Sequence, residues 1–136
     1  MRRALLPLLL LLGCASERQV VPIPFDSPAA EVSVPALGGL VRAGQACGVP
    51  LSAATLDRAA RIETAAIEQK ERIGGTAARD AFLHSMAPPD FGRGGEERDR
   101  WCAARRPEVE RMNAILSGPA GAAMLQRAEI ARALRR

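Results

Sequence analysis

The residue types able to carry covalent or acid–base chemistry are few and far apart in this chain of 136 residues. They are three cysteines, Cys14, Cys47 and Cys102, and a single histidine, His84. A histidine acting as general base needs an oriented nucleophile and acid. No spacing around His84 provides them, so it reads as a surface or boundary histidine. Neither CxxC nor HxxxH occurs, so a redox-active pair and a metal site both lack their usual ligand spacing. Gly92-Arg93-Gly94-Gly95 has the glycine content of a phosphate loop. It lacks the strand before and the Lys-Ser/Thr after that such a loop requires, and it reads as a connector. Asp90 and Glu96 flank it without calcium-loop spacing. Trp101, next to Cys102, is expected to pack into a core rather than form a ligand platform. These residues describe a non-enzymatic chain with no metal, no cofactor and no evident small-molecule ligand.

Cys14 has a different context. Arg2 and Arg3 form a positive start, and Ala4–Leu12 is an apolar run interrupted only by Pro7. A membrane-spanning helix needs about 20 apolar residues, so this run fits the core of a signal peptide instead. The run ends in Leu11-Leu12-Gly13-Cys14.

That tetrapeptide, placed directly after the apolar run, resembles the lipobox of bacterial lipoproteins. The resemblance covers the first fourteen residues only. It implies cleavage before Cys14, acylation of its thiol, and attachment of the mature protein to a membrane. Leu12 stands at the position where the class more often has Ala, Ser, Thr or Val. One acyl chain holds a protein only marginally, whereas two or three together anchor it. The alternative is ordinary signal-peptidase cleavage near Ala15. Both routes place the mature protein outside the cytoplasm. Because Ala15 rather than Asp follows Cys14, the resemblance implies the periplasmic face of the outer membrane.

Export changes the reading of the remaining cysteines. With Cys14 removed or acylated, Cys47 and Cys102 form an even pair in an oxidising compartment, where a structural disulfide is expected. In the chain-entropy picture so long a loop is worth at most roughly 4 kcal/mol. The core needs such a staple. Alanine is abundant, and the aromatics are Phe25, Phe82, Phe91 and Trp101 only, so little surface is buried per residue.

The chain carries 19 basic and 15 acidic residues, and Lys70 is the only lysine. Arginine and alanine richness fits a GC-rich coding sequence. Without Arg2 and Arg3 the balance is 17 basic to 15 acidic. The signs interleave through Arg58–Arg72 and Glu96–Arg111, as on a solvated helix surface. A nucleic-acid partner is not expected.

The elements that position these residues are helical. After a signal peptide at 1–13, residues 14–35 hold Pro22, Pro24, Pro28 and Pro35 and read as an extended tether. At ~3.1 Å per residue it spans up to roughly 60 Å. Within it, Val20–Phe25 is unusually apolar and is expected to lie on the domain surface or dock a partner. Residues 36–136 form one all-α domain of about four to five helices. A short helix over 36–47 is weakened by Gly38-Gly39. The next is the most strongly signalled, with a Ser52 N-cap, a Leu51/Leu56 hydrophobic staple, and Leu56, Ala59, Ala60, Ile62, Ala66, Ile67 and Ile73 at helical intervals. Asp57–Arg61 and Glu68–Arg72 are acid-first pairs on its polar side, and Gly74-Gly75 ends it. A shorter helix over 76–86 turns Ala77, Ala81, Phe82 and Met86 inward. From Glu96 to Leu116 one face holds Cys102, Val109, Met112 and Leu116 across Pro107, which predicts a kink or two abutting helices. The last helix, over 120–134, carries Met124, Leu125, Ile130 and Leu134, with a basic end suited to the helix dipole.

The functional expectation is a membrane-anchored cell-envelope lipoprotein that presents a helical domain to an envelope protein partner. The alternative is a small periplasmic inhibitor or chaperone-like binding module.

Overall fold

Four helices make up the described part of the chain, residues 34–135 of a computed structural model. They are α1 (Val34–Ala46), α2 (Ala53–Ser85), α3 (Gly95–Ser117) and α4 (Pro119–Ala133), and no strand occurs among the described residues. Cys14 and the Val20–Phe25 segment lie outside the described residues. α1 packs on α2 and α3, and α4 packs on α2 and α3. The core between them is centred on Leu37, Ile62, Met86, Val109 and Leu116, with Phe82, Met112, Met124, Leu125, three valines and six alanines buried around them.

α1 begins at Val34 and so takes in Pro35, expected to belong to the tether. In a first turn the missing proline N–H costs nothing. Val34, Leu37 and Val41 keep one buried face. Gly38 does not break the helix. It is buried where α2 crosses: a Cβ there would overlap Met86 Sδ and lie 2.9 Å from Glu63 Oε1. The glycine that weakens the helix in isolation lets the two elements approach.

Ser52 caps α2 as expected, accepting a hydrogen bond from Thr55 N at 3.1 Å. The predicted end at Gly74-Gly75 is a bend. Gly75 takes φ 69°, ψ −166°, which glycine adopts without strain, and helical structure resumes beyond it. The limbs on either side fold back on each other. Lys70 Nζ lies 5.9 Å from the centre of the Phe82 ring. Glu71 pairs with Arg79 at 3.0 Å, and Arg42 reaches both Glu63 and Met86. α3 runs unbroken through Pro107. Proline deprives the carbonyl four residues earlier of its partner, here that of Ala103, which is exposed and within reach of solvent. Gly118, extended at φ −90°, ψ −171°, ends α3 and starts α4, with Pro119 in the first turn of the new helix. Arg58 clamps this corner by donating to the carbonyls of Leu116 at 2.5 Å and Gly118 at 2.8 Å.

Several expected core residues are on the surface. Leu56 is 39% exposed, Ile73 76%, Ile130 52% and Leu134 73%. The buried stripe of the first limb is Thr55, Ala59, Ile62 and Ala66, one position out of register with Leu56. Ile73 sits in the last turn before the bend. On α4 the buried positions are Gly121, Met124, Leu125, Ala128 and Ala131, which turns Ile130 outward, and Leu134 lies past the helix end. Ala77 and Ala81 are likewise exposed, whereas Phe82 and Met86 are buried as expected.

Candidate functional site

α3 presents Trp101, Arg105, Glu108, Met112 and Ile115 on successive turns of one face, a spacing of three or four residues that aligns side chains along a helix. Opposite this face stand Leu40 and Ala43 of α1, and the segment that follows α2 closes one side with Met86 and Pro88-Pro89. The result is an open groove of about 710 Å³. Its floor is apolar, because Ala43, Met86 and Met112 are buried core residues that reach its surface. Its rim is charged. Arg105 donates to Glu108 Oε2 at 2.7 Å, and Arg111 lies one turn further on.

Trp101 is half-buried and forms one wall of this groove. Its ring lies 5.3 Å from that of Phe91, tilted by 54°, an arrangement favoured between aromatic quadrupoles. The indole packs partly on the core, as expected, and also offers a surface to the groove. Phe91 belongs to the connector before α3, so that connector braces the wall. Asp90 starts the same turn by accepting from Gly92 N at 2.9 Å, and Gly92 has φ 55°. The glycine-rich segment is thus an exposed turn built for geometry.

Cys47 and Cys102 are bonded, with Cα atoms 5.5 Å apart and a sequence separation of 55. The bond joins the turn after α1 to the early part of α3, so it holds together the two helices that form the groove. Arg98, Asp99 and Arg106 surround it in a shallow depression, and Arg98 also donates to the carbonyl of Ala46. His84 is exposed near the end of α2. No group of three or more His, Cys, Asp and Glu side chains able to hold a metal occurs among the described residues.

Sequence reading missed three charged residues that set the site's frame. Arg42 on α1 and Glu63 on α2 form a two-point ion pair at 3.2 and 3.0 Å, and Arg42 also donates to the carbonyl of Gly38 at 2.9 Å. Glu63 is buried and Arg42 half-buried, so this pair holds α1 in place beside the groove. Arg58 is the third, at the α3–α4 corner. Glu63 and Arg58 sit among other charged residues of α2 and carry no signal of their own, whereas Arg42 is the only charged residue of α1, the one mark in the sequence that could have singled it out. The expected Asp57–Arg61 pair forms at 3.6 Å. Glu68 turns to Arg132 of α4, whose guanidinium is held above its usual range by that hydrogen bond and charge.

No described helix is long and apolar enough to cross a membrane. No family model, no curated protein and no solved structure matches this chain.

Proposed function

We propose that this chain is a cell-envelope lipoprotein, anchored through Cys14, that presents the groove between α1, the end of α2 and α3 to a protein partner. The observation that carries the proposal is the Cys47–Cys102 disulfide. Such bonds persist in oxidising compartments and are rare in the cytosol. This fits the leader and its Leu11-Leu12-Gly13-Cys14 ending, and the Ala15 that follows favours the periplasmic face of the outer membrane. The groove supports the second half of the reading. Its floor of thioether, aliphatic and indole groups, rimmed by Arg105, Glu108 and Arg111, suits a polypeptide segment that buries a few apolar side chains and pairs charges at its edge.

The test places a photo-crosslinking amino acid at Arg105 or Arg111, in full-length protein expressed in its own envelope, with Gln126 on α4 as the control position. The reading expects one discrete partner band from both groove positions and none from the control. Equal products from all three positions contradict it. A ladder of many clients from the groove positions alone favours the chaperone-like alternative.

A further inference from the structure

One end of the bundle is formed by the bend of α2 and the last turn of α4. Arg72, just before the bend, donates to the carbonyl of Arg135, and Arg132 pairs with Glu68 one turn back, so the two elements finish at the same level. The most exposed large hydrophobic side chains of the described domain lie here: Ile73 at 76%, Leu134 at 73% and Ile130 at 52%. On α4, Arg127, Ile130 and Leu134 follow at intervals of three and four, so they share its outer face. Apart from Arg132, the cationic residues here have no carboxylate of their own among the described residues. Glu68 is engaged by Arg132, Glu71 by Arg79 and Glu129 by Arg61. Among the described residues, Arg72, Arg127 and Arg135 are in no ion pair. Arg135 is held below its usual range by partial burial and by the like charge of Arg72, a strain that an external anion relieves.

We infer that this end of the bundle is a contact surface for an anionic lipid bilayer, with Ile73, Ile130 and Leu134 entering the interface and Arg72, Arg127 and Arg135 meeting the headgroups. Apolar side chains ringed by arginine, with no acidic residue left unpaired beside them among the described residues, have the composition that binds such an interface. A protein partner is less well served, since these side chains project from an end and form no groove. The inference rests on the lipid-anchor reading only in that an anchored domain has a bilayer within reach of its tether. It adds an orientation: with this end down, the bundle lies on the membrane rather than standing off at the full length of the tether.

The test uses the mature chain from residue 14 carrying Cys14→Ser, so that the acyl group contributes nothing and the result is independent of lipidation. Sedimentation with vesicles of phosphatidylethanolamine and phosphatidylglycerol should pellet the protein, and neutral phosphatidylcholine vesicles should not. The pairs Ile130→Ser/Leu134→Ser and Arg72→Gln/Arg135→Gln should each lower partitioning by about tenfold. Ile73→Ser should lower it too, and circular dichroism should show unchanged helix. Absence of binding, equal binding to both vesicle types, or unchanged partitioning in either pair overturns the inference. So does a lipid-free dimer that Leu134→Ser dissociates in sedimentation velocity, which assigns the surface to a second copy of the chain.

Discussion

Arg42 on α1 and Glu63 on α2 meet through both guanidinium nitrogens and both carboxylate oxygens, with the carboxylate side chain only 11% exposed and the guanidinium 29%. The asymmetry in exposure decides which partner is costlier to lose. Arg42 keeps the Gly38 carbonyl and some solvent if Glu63 is neutralised. Glu63 without Arg42 is a nearly buried, unpaired carboxylate. Arg42→Met should therefore destabilise by about 2–3 kcal/mol and Glu63→Gln by about 1 kcal/mol. The double variant should be less destabilised than the sum. Urea denaturation of the four proteins measures the cycle, and additive losses would show that the pair is not coupled.

The same crossing makes Gly38 sensitive to size. Gly38→Ala drives a methyl group into Met86 Sδ. Overpacking of this kind costs about 1–3 kcal/mol. Met86 is flexible but fully buried, so it has little room to withdraw. Shortening it in the double variant Gly38→Ala/Met86→Ala should recover part of the loss relative to Met86→Ala alone. Thermal melts of the three variants test this, and a Gly38→Ala protein as stable as wild type refutes the close approach.

The architecture was legible in the sequence wherever one periodic face stayed in register with one neighbour. Helical class, the Ser52 cap, the glycine bend and the Val109–Met112–Leu116 stripe all come from such local rules. The Cys47–Cys102 bond was legible from the cysteine count together with the expectation of export, neither of which depends on distance along the chain. What stayed hidden depends on which face a neighbour covers. Ile73, Ile130 and Leu134 are apolar at helical spacing, yet each sits beside or beyond the end of the packed stripe. Gly38 looked like a weak helix residue because its value lies in contact with Met86, 48 positions away. The groove could not be foreseen, since it needs α1, the end of α2 and α3 assembled together.

Arg58 holds the corner between α3 and α4 by donating to the carbonyl of Leu116 in the last turn of α3 and to that of Gly118, which also accepts from Ala122 N in the first turn of α4. Arg58→Ala should cost about 1–2 kcal/mol. Its distinctive effect is local: hydrogen exchange should accelerate at Gly118 to Ala122 more than in α1. Uniform acceleration across all four helices would mean that the corner opens only by global unfolding.

The disulfide should act through stability. Removing both sulfurs with Cys47→Ser/Cys102→Ser frees a loop of 55 residues in the unfolded chain. The expected loss is about 2–4 kcal/mol. Alanine fills much of the core, so little else compensates and the melting temperature should fall well below wild type. Peptide mapping without reductant should recover both cysteines in one linked fragment. Free alkylation of both thiols in protein taken from the envelope contradicts the bond.

Anchoring through Cys14 is the claim on which the function rests, and it admits a direct measurement. Cells expressing the full-length chain are grown with a clickable fatty-acid analogue, and the protein is isolated and examined for label beside Cys14→Ser. Label on the wild-type chain and none on the variant is the expected result. Equal label on both, or none on either, contradicts it and leaves the helical domain without its membrane anchor.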